Sequence, residues 1–429
     1  MGINVVAKSA KWARESISCG LVLIFFNVLF IGCNTTNSAQ PTGVSHKTAA
    51  DLAFLNLAPA VVGHDVWEVV LCEIPVDTTD ANFAPLSERL SVSTADLLSA
   101  IDPVREYFER WSGGRYTTTF IPGVTVAIAE DEDAQACVEN ALESSSQEAT
   151  GLVVIADAAH REDVPGGWAQ PGIGCANPNH TCSAKSSRRV VYLGGADFFP
   201  LSRREDPSGV PLDLLEHEIG HVLGWPHSFR ANETLNSERA PAGRPHVKGY
   251  DSSLDVMSNS AAPREFNSRR QHGPGVLGIH RVIVGWLEPG DVKVVGSNTA
   301  EATRFSLAPS DAWSHSDLPL LLVINLGDNA AVTIEFIMNR GDNDHVVAAG
   351  VAVHRVEWGA EVCDVPGSDN LCLGVDRRVT LLGETPSGLL DVGQSISVGD
   401  FTVGDFTVAV TAMDSFGPEP TAEIVVWGN

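Results

Sequence analysis

The chain has 429 residues, 54 of them Asp or Glu and 28 Lys or Arg, for a formal net charge of −26. So negative a balance repels nucleic acid and anionic lipid, which excludes a nucleic-acid partner and leaves a lipid anchor as the expected route to a membrane. A hydrophobic content of 44% over this length allows a sizeable core and more than one domain.

Residues 1–33 read as an export signal. Lys8, Lys11 and Arg14 form a basic start, and the apolar run over 19–33 is too short and too early for a spanning helix. It ends Phe30-Ile31-Gly32-Cys33, which is similar to a bacterial lipobox, where Cys33 becomes the lipidated first residue. Leu is usual where Phe30 stands, and an ordinary signal cleaved near Ala39 is the alternative. Residues 34–62 are rich in Thr, Ser, Asn, Ala and Pro and read as a tether. This segment is too short for a prodomain with its own core. After Cys33 it carries no Cys that could block a metal, so latency has no basis in the sequence.

Eight cysteines are present, and Cys19 and Cys33 belong to the signal. Short loops suggest Cys175–Cys182 and Cys363–Cys372, which leaves Cys72–Cys137, one pairing among several. A metal site built from cysteines is the alternative, though no CxxC occurs.

From 63 to 295 strands and helices alternate. Residues 66–74 read as a strand, and Ser93 or Thr94 caps a helix over 95–111. Leu97, Leu98, Ile101, Val104, Tyr107 and Phe108 form its apolar face, and Gly113-Gly114 stops it. A strand region from Tyr116, a helix over 134–144 and a strand from Gly151 follow. Glu130-Asp131-Glu132-Asp133 reads as a solvated helix start. A calcium loop is the alternative, with nothing else in the sequence to support Ca2+. Residues 163–187, rich in Gly, Pro and Asn, read as a loop carrying Cys175 and Cys182, and 190–195 as a strand.

A helix beginning near Pro211 or Leu212 then carries His217-Glu218-x-x-His221-x-x-Gly224-x-x-His227. Residues four apart share a helix face, so His217 and His221 aim two imidazoles at one point. Gly224 suits the left-handed turn that ends a helix and brings in His227. Three neutral imidazoles with one open position suit catalytic Zn2+ rather than a closed structural site. Glu218 flanks the same point and is placed to act as general base. Residues 228–255 are loop-like and lead to Met257, one of four Met in the chain. Ile279, Val282 and Ile283 fit a further helix ending at Gly285-Trp286. Beyond 300, short runs of Val, Ile, Leu and Thr separated by turn residues read as antiparallel strands of a β-sandwich, with a substrate-binding or covering role.

The three-His motif followed by Met257 resembles the metzincin signature. The Tyr250-Asp251 to Met257 run and Gly285-Trp286-Leu287 are similar to gametolysin and immune inhibitor A type peptidases. The resemblance is strong over 212–290 and weaker over the rest of 66–429. It implies a metzincin-like zinc peptidase domain over 63–295, with a mixed sheet and helices, followed by the sandwich over 296–429, an α+β fold. It implies that His217, His221 and His227 hold one Zn2+, that Met257 lies beneath them, and that the strand over 190–195 lines the substrate cleft and pairs with an extended peptide. Some members place a transition-state Tyr two residues after the Met. Asn259 stands there, and Tyr250 is the substitute candidate.

The expected function is that of an exported, monomeric zinc endopeptidase, lipid-anchored or secreted, acting on proteins or peptides. A surface adhesion protein with a vestigial zinc site and a zinc hydrolase of non-peptide amides or esters are the alternatives. His46, His64, His160, His180, His246, His272, His280, His315, His345 and His354 are expected at the surface or as satisfied core residues.

Overall fold

The computed structural model describes residues 52, 54–55, 60–74, 90–129, 132, 134–157, 167–170, 188–198, 212–230, 252–258, 272–296, 301–313, 317–327, 329–358, 377–383, 385, 387–399 and 405–428. The expected signal with Cys33, most of the tether, Cys175, Cys182, Tyr250, Asn259, Cys363 and Cys372 lie outside them. So do Glu130, Asp131 and Asp133 of the acidic run.

The first part alternates as its periodicity predicts. Strand β1 is Gly63–Glu73. Helices α1, Thr94–Ile101, and α2, Pro103–Trp111, replace the single helix expected there. The break has a physical cause. Pro103 has no N–H to continue the ladder and its ring crowds the preceding turn, so the Asp102 N–H closes α1 on Leu98 and Pro103 opens α2 at its first position. Ser93 caps α1 in a reciprocal box with Asp96: the Asp96 N–H donates to Ser93 Oγ at 3.2 Å and the Ser93 N–H donates to Asp96 Oδ2 at 3.1 Å.

Strand β2 is Tyr116–Ala127, helix α3 is Ala134–Ser144 and strand β3 is Gly151–Ala156. Then come β4, Gly167–Gln170, and β5, Arg189–Leu193. They form one sheet in the order β2-β1-β3-β5-β4, parallel except for β4. This corrects the sequence reading at two points. β4 falls inside the expected loop over 163–187. β5 is not an edge, because β3 and β4 flank it, so its backbone is committed on both sides and cannot receive a peptide.

Side chains on successive strand residues face opposite ways. Trp67, Val69, Val153, Ile155, Val191 and Leu193 face the helices α1 and α2 and the helix α4, Leu212–Leu223. Val70, Cys72, Leu152, Val154 and Val190 face α3. Cys72 on β1 and Cys137 on α3 form a disulfide with Cα atoms 5.8 Å apart, which ties α3 to that face.

The second part has strands β6, Ser228–Arg230; β7, Val292–Gly296; β8, Thr303–Leu307; β9, Leu321–Gly327; and β10, Ala330–Ile337. They continue with β11, Gly350–Trp358; β12, Arg377–Leu381; β13, Leu389–Leu390; β14, Ser395–Val398; β15, Phe406–Asp414; and β16, Thr421–Gly428. One sheet runs β6-β12-β11-β10-β9-β7 with β13 on β11, and another runs β14-β15-β16-β8. Val332, Ile334, Phe336, Val351 and Val353 of the first pack with Val408, Val410, Ile424 and Val426 of the second, a sandwich core.

This sandwich is not purely antiparallel, as the sequence reading had it. β6 pairs parallel to β12, and β7 pairs parallel to β9. Edge strand β6 comes from before the expected boundary at 295–296 and edge strand β7 runs across it, and both enter the sheet alongside strands that follow it. The other face of the larger sheet contributes Leu321, Val323, Ala331, Val356 and Val379 to the core around α4. Residues His46–Asn429 accordingly form one compact unit. A short helix α5, Gly278–Ile283, lies against this sheet, its Gly278 N–H donating to Glu335 of β10 at 3.2 and 3.1 Å to the two carboxylate oxygens. The fold is α+β. Among the described residues no helix is long and apolar enough to cross a membrane.

Candidate metal centre

Helix α4 has two faces with different work. Leu215, Ile219 and Val222, with Leu212 and Leu223, are buried in the core beside β4 and β5. Burying each such side chain contributes about 1.5–3 kcal/mol. That offsets the cost of holding Glu216, His217, Glu218 and His221 of the same helix away from water. The helix ends at Gly224, whose φ of +94° lies in the left-handed region. There the Gly224 N–H reaches the His221 carbonyl at 3.0 Å and the Trp225 N–H reaches the Gly220 carbonyl at 2.9 Å. The reversal delivers His227 to the helix face.

The three expected ligands meet. His221 Nε2 lies 3.0 Å from His217 Nε2 and 2.9 Å from His227 Nε2. They are the one group of three or more His, Cys, Asp or Glu side chains among the described residues whose donor atoms cluster closely enough for a metal ion. The far nitrogens explain the orientation. His217 Nδ1–H donates to the Val256 carbonyl at 2.8 Å, and His221 Nδ1–H donates to the Trp225 carbonyl at 3.0 Å. With those protons on Nδ1, the lone pairs of both Nε2 atoms point at the shared space. Burial lowers the pKa of His217, and holds His221 and His227 well below the usual range, with neighbouring imidazoles adding to the effect in the last two. Three neutral nitrogen donors facing one point is a donor set that fits Zn2+.

Glu218 follows His217 on α4 and is buried, and burial pushes its pKa up to about 8. Its Oε2 has no hydrogen-bond partner among the described residues. Glu216, next to the first ligand, faces elsewhere. Burial raises its pKa, while His272 Nδ1 at 2.5 Å and the Gly273 N–H at 2.8 Å hold its carboxylate.

Met257 sits in the turn segment over 252–258 and is buried in the same core as α4. An added Cβ on Gly220 would lie 2.5 Å from Met257 Sδ and 2.6 Å from the Trp225 ring. The Met257 carbonyl also accepts the Ser228 N–H at 3.1 Å, so the segment just after His227 is tied to the same turn.

Sequence reasoning missed three residues that bear on the centre. Asp255 precedes the carbonyl that holds His217. Trp225 supplies the carbonyl that holds His221. His280 donates through Nε2 to Asp255 Oδ2 at 2.7 Å, both side chains being fully buried. Backbone carbonyls carry no sequence signal, and an isolated His reads as an ordinary core residue. The placing of Asp255 two residues before Met257 was the one available hint.

No family model matches the chain, and no curated protein does. Among solved structures it is similar to a chain described as the structure of a chaperone–substrate complex, at 14% identity with a TM-score of 0.27, covering 52% of this chain and 34% of that one. The chain thus spans about a third of the length of that neighbour, and a score this low carries no argument about fold or function.

Proposed function

We propose that this chain is an exported zinc endopeptidase of the metzincin type. The observation that carries the reading is the convergence of the Nε2 atoms of His217, His221 and His227 on one point, at a helix that also buries Glu218 next to the first of them. Zinc, when bound, supplies a Lewis acid for the scissile carbonyl and lowers the pKa of water. The rest is the work of the chain. His217 and His221 present lone pairs because carbonyls fix their tautomers. Glu218 takes a proton from the attacking water on a carboxylate oxygen and gives it to the leaving amine. Burial raises its affinity for a proton.

The substrate segment adds as an extended strand along β4, the terminal strand of this sheet among the described residues. That places the role earlier given to 190–195 on 167–170, whose neighbour β5 packs directly against α4. The disulfide between Cys72 and Cys137 supports export, since such bonds persist in oxidising compartments. Lipid attachment at Cys33 remains part of this reading. Digestion of a peptide library by the zinc-loaded protein tests it: cleavage abolished by a chelator and restored by zinc is expected. Cleavage confined to small esters or amides, or none at all, refutes it.

A further inference from the structure

We propose that the buried Asp255–His280 pair is a positioning device for the metal ligands, fixing the two backbone carbonyls that orient His217 and His221. The inference rests on the metal reading above and extends it to residues that touch neither metal nor substrate.

The geometry runs in two branches from one pair. Asp255 immediately precedes Val256, whose carbonyl accepts from His217 Nδ1 at 2.8 Å. The His280 ring stacks on Trp225, with centroids 5.7 Å apart and planes 27° from parallel. The Trp225 carbonyl accepts from His221 Nδ1 at 3.0 Å. The 2.7 Å bond between His280 Nε2 and Asp255 Oδ2 therefore joins the two peptide groups on which the ligand tautomers depend. Behind the pair, α5 carries His280 and is held to β10 by the bonds from Gly278 to Glu335. Helix α5 thus links β10 to this pair, while β6 of the same sheet follows His227 directly in the chain.

Stability alone is a poor account of this pair. Both side chains are fully buried, and Asp255 Oδ1 and His280 Nδ1 have no hydrogen-bond partner among the described residues. Replacing a buried polar pair by apolar residues is often neutral or stabilising, so burial of this kind is weak ground for a stabilising role. A fixed direction for two carbonyls is something an apolar pair does not supply. Residues that orient ligands from behind typically change metal affinity by about 10–100-fold when replaced.

The test uses the full mature chain and the variants His280→Gln and Asp255→Asn. His280→Gln keeps a side-chain donor but removes the ring beneath Trp225. Asp255→Asn keeps the shape and exchanges the carboxyl for an amide. Zinc affinity is measured by competition with a chelator, and ring tautomers by 15N spectra of histidine-labelled, metal-free protein. The parent is expected to show His217 and His221 as single Nδ1–H tautomers. Each variant is expected to keep its melting temperature within a few degrees, to bind zinc about 10–100-fold more weakly, and to show mixed tautomers at those two positions. Folded variants with the parent's affinity and tautomers overturn the proposal while leaving the metal reading intact. Failure of both variants to fold also overturns it, since the pair would then be a requirement of the fold. A parent that takes up no zinc refutes the metal reading instead.

Discussion

Gly220 and Met257 touch across the metal helix so closely that a Cβ on Gly220 would stand 2.5 Å from Met257 Sδ. The same Cβ would stand 2.6 Å from the Trp225 ring, and Trp225 is fully buried. Met257 is fully buried as well, so at least one of the two must shift within the core. Gly220→Ala is therefore expected to destabilise the fold by about 1–3 kcal/mol through overpacking, although alanine is the better helix former. Zinc affinity is expected to fall with it, because both neighbours lead to carbonyls that hold ligands. Urea unfolding of the metal-free variant and a chelator titration check the two effects. Unchanged stability would contradict the packing account.

Loss of one ligand should be more severe than loss of its support. His221 Nε2 lies between the other two ligand nitrogens, 3.0 and 2.9 Å from them. Elemental analysis of the parent is expected to give about one zinc per chain, and His221→Ala is expected to retain none after dialysis. Zinc retained by the alanine variant at the parent's level would place the ion elsewhere.

A separate prediction concerns acid. His354 on β11 is fully buried, and burial lowers its pKa to about 4 from an ordinary 6.5. In the folded protein it stays neutral, while the unfolded chain takes up a proton below about 6.5. The stability it contributes is complete above that pH and is lost as the pH falls toward 4. Linkage puts the loss at about 3 kcal/mol. His354→Leu removes this site, so its stability should fall less steeply between pH 6.5 and 4 than the parent's. Chemical unfolding at several pH values checks it, and parallel curves for the two proteins would contradict it.

Export has its own readouts. Thiol labelling of the denatured, unreduced mature protein is expected to find no free cysteine, with Cys175, Cys182, Cys363 and Cys372 oxidised as Cys72 and Cys137 are. Two or more labelled positions would argue against that. Cys33→Ser is expected to release the protein from the membrane fraction, and unchanged fractionation would leave only an ordinary signal peptide.

What the sequence made legible follows from the range of the interactions involved. Helix α4 was readable because its histidines, its apolar face and Gly224 all lie within one short segment with helical spacing. Ser93 and Gly113-Gly114 were readable for the same reason, as local backbone chemistry. β4 was not, because four residues in a stretch rich in Gly, Pro and Asn form a strand only through pairing with β5. The parallel edges β6 and β7 were hidden likewise, since each is defined by a partner on a distant part of the chain. The division of one helix at Pro103 was available from the proline but outweighed by the continuous apolar face from Leu97 to Phe108. The pairing of Asp255 with His280 needed the third dimension altogether.

The central claim is that Glu218 moves the proton in a zinc-dependent cleavage of peptide bonds. The most direct test is the cleavage rate of Glu218→Gln against the parent on the same peptide at matched zinc content. The substitution keeps size and removes the basic carboxylate. A loss of about 10²–10⁴-fold or more with zinc and fold retained is predicted, because one carboxylate serves both proton transfers. Near-parental cleavage with zinc bound, or a zinc-loaded parent that cuts no peptide, would contradict it.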